Sequence, residues 1–226
     1  DLAAGQRVLD IGCGSGTLSL AAAEAVGSEG TVLGVDVSEP LLALARKRAS
    51  DLPQVGFHHG DASALHLDPP FDRLLSRFGV MFFADSVAAF ANMAKAMRPG
   101  GRMHFVCWSG LQENPWFSLP RQVAVDRLGA PEPADPRAPG PMAFAERDYV
   151  TGILERAGLA EVHSQEVSVD LTPLGTVEEV AKFAAHVGPA SRILKEKEGS
   201  AEDARVIVEA LSEKMQAFAT PDGVRV

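Results

Sequence analysis

Short apolar runs alternate with helical patterns along the first half of the chain. Strands are predicted at 6–11, 31–36, 54–59, 71–77 and 103–108. Helices are predicted between them at 17–26, 38–50 and 85–98, the second with Ser38 and Pro40 at its start. Short strands that alternate with helices predict an α/β fold with a doubly wound, mainly parallel sheet and helices on both faces.

The second half is less regular and mostly helical. Helices are predicted at 114–128 and 148–157, and two more follow Thr176 and Ser200, where capping residues occur. Residues 161–171 alternate polar and apolar side chains, which predicts a sixth strand. Prolines recur through 131–141, so this segment is predicted to be a loop. We expect the whole chain, 1–226, to form one domain.

The stretch from Val8 to Thr17 carries the clearest chemical signal. An apolar strand runs into the alternating glycines of Gly12-Cys13-Gly14-Ser15-Gly16 and then into a helix. Glycine lets a ligand approach the backbone, and the first N–H groups of a helix have no partner within it. Asp36 ends the next strand, where an acidic side chain can accept hydrogen bonds from a ribose. The pattern predicts a nucleoside-containing ligand.

The pattern Asp-x-Gly-x-Gly-x-Gly, from Asp10 to Gly16, resembles motif I of the class I S-adenosylmethionine-dependent methyltransferases. Gly60-Asp61-Ala62, Phe71–Ser76 and Arg98-Pro99-Gly100-Gly101 are similar to later motifs of that family, and residues 76–83 to a bacterial subgroup. The resemblance implies a Rossmann-like fold, with a cofactor-binding core at 1–108. Residues 109–226 would supply a substrate-side insertion of loop, helices and the sixth strand. We also expect terminal segments typical of the family to be missing from this chain.

The resemblance further implies an enzyme that transfers a methyl group from S-adenosylmethionine to a small-molecule acceptor by in-line displacement, leaving S-adenosylhomocysteine. The implied cofactor-binding residues are Asp10, Gly12, Cys13, Gly14, Gly16, Asp36, Val37, Asp61, Ala62 and Ser76. An apolar, aromatic-lined acceptor pocket is expected, with Arg77, Phe78, Met81, Trp108 and Trp116 as its residues. We assign no catalytic base and no metal site, because no histidine has a partner that marks either role.

Composition and charge narrow the range of partners. The net charge of −9 disfavours a nucleic-acid substrate, and the basic run Arg46-Lys47-Arg48 is interpreted as a solvated helix end. No apolar run approaches the roughly 20 residues of a membrane span. The chain has 2 cysteines and no Cys-x-x-Cys pair, so a disulfide framework is not expected and a cytoplasmic location is predicted. The oligomeric state is left open.

Two other functions remain compatible with the sequence. An NAD-dependent oxidoreductase would share the glycine turn and Asp36. However, Thr17 stands where the dinucleotide fingerprint needs its third glycine, and no second mononucleotide-binding half follows. A non-catalytic S-adenosylmethionine-binding module would keep the same fold with a closed or filled pocket.

Overall fold

The structure, a computed structural model, describes residues 2–66, 68 and 70–226. The chain divides into two compact units. Unit 1 comprises the residues up to Trp108 together with Pro136–Ser164, and unit 2 comprises Ser109–Asp135 and Gln165–Val226. The segment 136–164 contributes Ala143 and Phe144 to the core of unit 1, and the organisation of 1–226 as one domain stays a prediction.

Within the described residues, unit 1 is built on a parallel sheet of five strands. These are β1 (Arg7–Ile11), β2 (Thr31–Asp36), β3 (Val55–His59), β4 (Phe71–Arg77) and β5 (Met97–Val106). Their order across the sheet is β3-β2-β1-β4-β5. The chain moves outward from β1 to β3 and then crosses back to β4, so the order reverses between β1 and β4. Open α/β sheets bind ligands at the carboxyl ends of the strands beside such a reversal.

Helices cover both faces of this sheet. The helices of the chain are α1 (Thr17–Val26), α2 (Glu39–Arg48), α3 (Ser86–Ala96), α4 (Pro115–Leu128), α5 (Arg147–Arg156), α6 (Val177–His186), α7 (Pro189–Glu196) and α8 (Ala201–Met215). Val8 and Val32 pack with Ala23 of α1, whereas Leu9 and Leu74 pack with α3 and α5. Neighbouring strand residues point to opposite faces, which accounts for the two cores. The predicted doubly wound α/β fold is confirmed.

Unit 2 is mostly helical and contains α4, α6, α7, α8 and a short antiparallel hairpin, β6 (Ala219–Thr220) and β7 (Gly223–Val224). Its buried core is rich in alanine, with Ile193, Ile207 and Leu211 among the larger members. The predicted helix starts at Thr176 and Ser200 are confirmed, since each side chain accepts a hydrogen bond from a backbone N–H at the third helical position. Among the described residues, no helix is long and apolar enough to cross a membrane.

The predicted sixth strand is wrong. Residues 161–171, all of which the structure describes, form no strand, and Val167 and Val169 are 64% and 72% exposed. At the end of this segment, Leu171 exchanges both backbone hydrogen bonds with Val226, at 2.8 and 2.9 Å. An alternating pattern becomes a strand only where a neighbouring strand pairs with its N–H and C=O groups. β5 also begins earlier than predicted, at Met97, and so includes the turn-like Pro-Gly-Gly sequence.

Candidate active site

The glycine loop between β1 and α1 lies at the carboxyl end of the sheet. The N–H groups of Gly12 and Cys13 both donate to the Val35 carbonyl oxygen, at 2.9 and 3.1 Å. The Gly14 N–H donates to Asp36 Oδ2 at 2.8 Å. These three donors are therefore already bonded within the protein. A bound diphosphate requires several such donors, so this loop is poorly suited to a dinucleotide.

The three glycines of the loop meet different surroundings. A Cβ at Gly12 would lie 2.6 Å from the Cα of Gly79, and one at Gly16 would lie 3.1 Å from Ala45 Cβ. At Gly14, whose φ is +53°, the nearest atom to such a Cβ is 3.9 Å away. Packing therefore requires glycine at the first and last positions. At Gly14 such a Cβ would make only an ordinary van der Waals contact, with Leu41 Cδ1, so the fold leaves room beside this residue.

Asp36 is held rigidly at the end of β2. Its Oδ2 accepts from the Gly14 N–H and its Oδ1 accepts from the Ser38 N–H, both at 2.8 Å. Each carboxylate oxygen has a further lone pair, so this side chain can still accept from two ligand hydroxyls. The following residue, Val37, is 68% exposed, and its carbonyl oxygen lies 3.0 Å from His59 Nε2.

Asp10 is a fully buried carboxylate at the end of β1. Its Oδ2 accepts from the Ser19 hydroxyl at 2.6 Å, while its Oδ1 is buried without a hydrogen-bond partner. Burial raises the pKa of Asp10 to about 6, although the Ser19 hydrogen bond and the positive charge of Arg77 oppose the rise. A buried, partly unsatisfied carboxylate suits a ligand that brings a positive charge.

The turn after β3 is ordered by its own hydrogen bonds and by α3. Asp61 Oδ1 accepts from the Ser63 N–H at 2.8 Å, and the Asp61 carbonyl accepts from the Leu65 N–H at 2.9 Å. Asn92 Nδ2 donates to the carbonyl oxygens of Ala62 and Leu65, at 3.1 and 2.9 Å. A residue of α3 therefore holds the turn that carries the predicted Asp61 and Ala62.

Ser76 has a structural role that the sequence analysis did not foresee. Its buried hydroxyl donates to the Ile11 carbonyl at 2.7 Å and accepts from the Gly79 N–H at 3.2 Å. These bonds fix the turn after β4 against the end of β1, where Gly79 packs on Gly12. A direct contact of Ser76 with a cofactor stays a prediction.

Three of the predicted acceptor residues meet at the carboxyl ends of β4 and β5. Arg77 is exposed at the end of β4. Phe78 has a φ of +63°, a left-handed conformation that costs a bulky residue roughly 1–2 kcal/mol. Its N–H donates to the Val106 carbonyl at 3.0 Å, and its ring stacks on Trp108 with a centroid distance of 4.2 Å and an angle of 3°.

The other two predicted acceptor residues lie elsewhere. Met81 is 1% exposed and packs inside the core of unit 1, so its side chain is part of that core. Trp116 belongs to unit 2, where its ring centroid lies 6.1 Å from that of Phe183. Their roles in acceptor binding stay predictions.

Neither cysteine is suited to nucleophilic chemistry. Burial, with the negative charge of Asp10 as a smaller cause, raises the pKa of Cys13 to about 12. Burial also raises the pKa of the Cys107 thiol, whose Sγ lies 3.8 Å from the Phe144 carbonyl oxygen. Both thiols are therefore neutral near pH 7. Across the part of the chain that the structure describes, no three His, Cys, Asp or Glu side chains are grouped to hold a metal ion.

Sequence reasoning missed three residues that shape the site. Gly79 and Asn92 have no distinguishing pattern apart from Gly79 lying in the run 76–83. Arg48 belongs to the basic run interpreted as a solvated helix end; the residue is exposed, but its bonds to the loop were not predicted. Its Nη1 donates to the Ser15 carbonyl at 2.8 Å and lies 3.1 Å from Thr17 Oγ1.

The fold and the site together define an α/β domain with a glycine loop at the reversal of strand order and an acidic residue ending β2. Residues 8–101 match a family model described as a methyltransferase domain. This part of the chain is therefore similar to methyltransferase domains.

Two of the relatives that match this chain are each similar to nearly half of it. A demethylmenaquinone methyltransferase from Shouchella clausii is 37% identical over 106 residues, which are 46% of this chain and 45% of the relative. Aklanonic acid methyltransferase DauC from a Streptomyces species is 36% identical over 107 residues, covering 45% of this chain and 47% of the relative. The chain therefore spans about half the length of the curated relatives it matches.

One solved structure extends the likeness in fold. The YcgJ protein from Bacillus subtilis aligns with 100% of this chain and 88% of its own, with a TM-score of 0.59 and 19% identity. At this identity the match supports the fold alone.

Proposed function

We propose that this chain transfers a methyl group from S-adenosylmethionine to a small-molecule acceptor. The observation that carries the proposal is the open surface above Gly14, beside the carboxylates of Asp10 and Asp36 and a loop whose N–H groups are largely bonded. Such a surface favours a cationic nucleoside that has no phosphates, because a phosphate would meet negative charge and find few free donors. The sulfonium and ammonium groups of S-adenosylmethionine have this character.

The residues of unit 1 fit the parts of this cofactor. In our proposal Asp36 accepts hydrogen bonds from the ribose hydroxyls, which its remaining lone pairs allow. Asp61 accepts from the adenine amino group, and the Ala62 N–H donates to a ring nitrogen. Asp10, with one unpartnered oxygen, offsets the positive charge of the methionine end. The glycine loop supplies the bare backbone on which the ligand lies.

In methyl transfer the main role of the protein is to orient the two reactants. When bound, S-adenosylmethionine supplies a methyl group on a positively charged sulfur, and the group left behind is neutral. No side chain has to protonate that group. The protein instead holds the acceptor in line and excludes water, and orientation of this kind lowers the barrier by roughly 7–11 kcal/mol.

We infer that the acceptor is a small molecule with a planar ring. The stacked rings of Phe78 and Trp108 form an aromatic surface at the carboxyl end of the sheet, and planar rings bind to such surfaces by offset stacking. Arg77, at the same end, provides a cation for an acidic or phenolic acceptor. The names of the two relatives indicate that each of them acts on a small organic molecule. The net charge of −9 disfavours nucleic acid as the acceptor.

The alternatives differ in what supports them. A dinucleotide-dependent oxidoreductase is disfavoured by Thr17 and by the bonded N–H groups of the loop. A non-catalytic S-adenosylmethionine-binding module shares every contact described above and differs in turnover alone, so experiment separates it. A cytoplasmic location stays a prediction from the use of cysteine.

The test is methyl transfer by the purified full chain from methyl-labelled S-adenosylmethionine to a panel of phenols, aromatic acids and amines. We expect labelled product with at least one ring-bearing acceptor for the wild type. Asp36→Ala should lose transfer, whereas Asp51→Ala removes the same charge from an exposed turn and should retain it. Cofactor binding without transfer to any acceptor would support the non-catalytic module, and absence of cofactor binding would overturn the proposal entirely.

A further inference from the structure

One face of α2 lies along the glycine loop. Leu41, Ala45 and Arg48 are spaced four and three residues apart, so they share one side of the helix. Leu41 Cδ1 lies 3.9 Å from the position of a Cβ at Gly14, and Ala45 Cβ lies 3.1 Å from that position at Gly16. The loop therefore rests on α2 along much of its length.

Arg48, the last residue of α2, bonds to the end of the loop. Its Nη1 lies 2.8 Å from the Ser15 carbonyl oxygen, 3.2 Å from Ser15 Oγ and 3.1 Å from Thr17 Oγ1. Thr17 is the first residue of α1, where the helix dipole disfavours a cation. The three oxygens, together with the C-terminal end of α2, therefore account for the position of this guanidinium. Ser15 and Thr17 flank Gly16, so the contact spans the junction of the loop and the helix.

We propose that Arg48 is a positioning residue, which fixes the stretch from Gly14 to Thr17 so that the open surface keeps its shape before a ligand binds. This inference rests on the proposed function, because that surface is the proposed cofactor site. All three contacts are made by Nη1, whose N–H groups point in directions that the planar guanidinium fixes, whereas a lysine ammonium acts as a flexible point charge. The hydrogen bonds of Arg48 described above go to Ser15 and Thr17, so in this proposal it acts on the cofactor through them.

The chain offers a matched control in Lys47. This exposed residue belongs to the same helical turn, but adjacent residues do not share a helix face. Lys47→Ala and Arg48→Ala each remove one positive charge from the end of α2. Arg48→Ala alone removes the contacts with Ser15 and Thr17. Arg48→Lys keeps the positive charge but replaces the planar guanidinium with a flexible ammonium group.

Two measurements on the full chain test the proposal. Hydrogen–deuterium exchange of a peptide covering residues 12–19 is followed without ligand, and S-adenosylhomocysteine binding is followed by calorimetry. For Arg48→Ala we expect faster exchange confined to this peptide and about tenfold weaker binding, as the loss of charge-assisted hydrogen bonds at an exposed site implies. Lys47→Ala should stay within about twofold of the wild type in both, and Arg48→Lys should fall between.

Three results would overturn the inference: unchanged exchange in Arg48→Ala, equal affinities of Arg48→Ala and Lys47→Ala, or exchange that rises uniformly along the chain. A uniform rise would indicate that Arg48→Ala destabilises the whole protein. The exchange measurement is therefore also made on Arg48→Lys, which is the milder substitution. If the wild type does not bind S-adenosylhomocysteine, the proposed function fails. The exchange measurement then still decides whether Arg48 holds the loop.

Discussion

Asp10 gives the sharpest prediction, because its carboxyl group is buried at 0% exposure with one oxygen unpartnered. In the folded protein its pKa is raised from 3.8 to about 6, chiefly by burial. Asp10→Asn replaces the carboxyl with an amide of nearly the same shape that does not titrate. The substitution therefore separates the effect of the charge from that of the packing.

The direction of the effect follows from the raised pKa. Below about pH 4, Asp10 is protonated in both the folded and the unfolded protein, and its contribution to stability is fully present. As the pH rises through about 6, the folded protein must bury a charge, and that contribution is lost. One pKa unit corresponds to about 1.4 kcal/mol, so the rise from 3.8 to about 6 is worth about 3 kcal/mol.

The assay is urea unfolding of both proteins between pH 3 and pH 7.5, followed by tryptophan fluorescence. Relative to Asp10→Asn, the wild type should lose about 3 kcal/mol of unfolding free energy across this range. Comparing the two proteins at each pH cancels the other titrating groups. A difference that stays constant with pH would refute the assignment of a buried, neutral Asp10 at acidic pH.

Four further substitutions test single contacts in unit 1. Asp36→Ala should weaken S-adenosylhomocysteine binding by about 1–3 kcal/mol in a calorimetric titration, and an unchanged dissociation constant contradicts its ribose role. Gly14→Ala should lose cofactor binding at a stability cost of roughly 1–2 kcal/mol. Gly12→Ala should destabilise the fold more, because its Cβ would lie 2.6 Å from the backbone of Gly79. Chemical unfolding compares the two variants, and equal losses of unfolding free energy would contradict the different roles of the two glycines. Asn92→Asp places a carboxylate oxygen against the carbonyl oxygens of Ala62 and Leu65 and should weaken cofactor binding by about 2 kcal/mol in the same titration. Lys95→Ala is an exposed control on α3. Equal affinities of the two variants would contradict the role of Asn92 in holding the turn after β3.

The fold of unit 1 could be predicted because its signals are local. Buried parallel strands appear as short apolar runs, so β4 was predicted with the observed bounds and α1 likewise. The prediction of a sixth strand at 161–171 was wrong because a strand needs a neighbouring strand to pair with. The alternation of polar and apolar residues does not show whether such a neighbour exists. α7 was missed because Gly188-Pro189 is typical of a turn, although proline is also well suited to the first position of a helix.

The part of the candidate site that could be predicted is the part encoded by short sequence motifs. The glycines, Asp10 and Asp36 lie in or just after consecutive strands, and the structure brings them together. The supporting contacts cross long stretches of sequence: Ser76 bonds to Ile11 65 residues away, and Arg48 to Ser15 33 residues away. Such pairs have no fixed spacing, so a single sequence does not reveal them.

The central claim is that the surface above Gly14 binds S-adenosylmethionine rather than a dinucleotide. The most direct measurement is a pair of calorimetric titrations of the full chain, one with S-adenosylhomocysteine and one with NADH. Our account predicts saturable binding of S-adenosylhomocysteine that Gly14→Ala removes, together with no measurable binding of NADH. Binding of NADH, or S-adenosylhomocysteine binding that is unaffected by a side chain at Gly14, would contradict it.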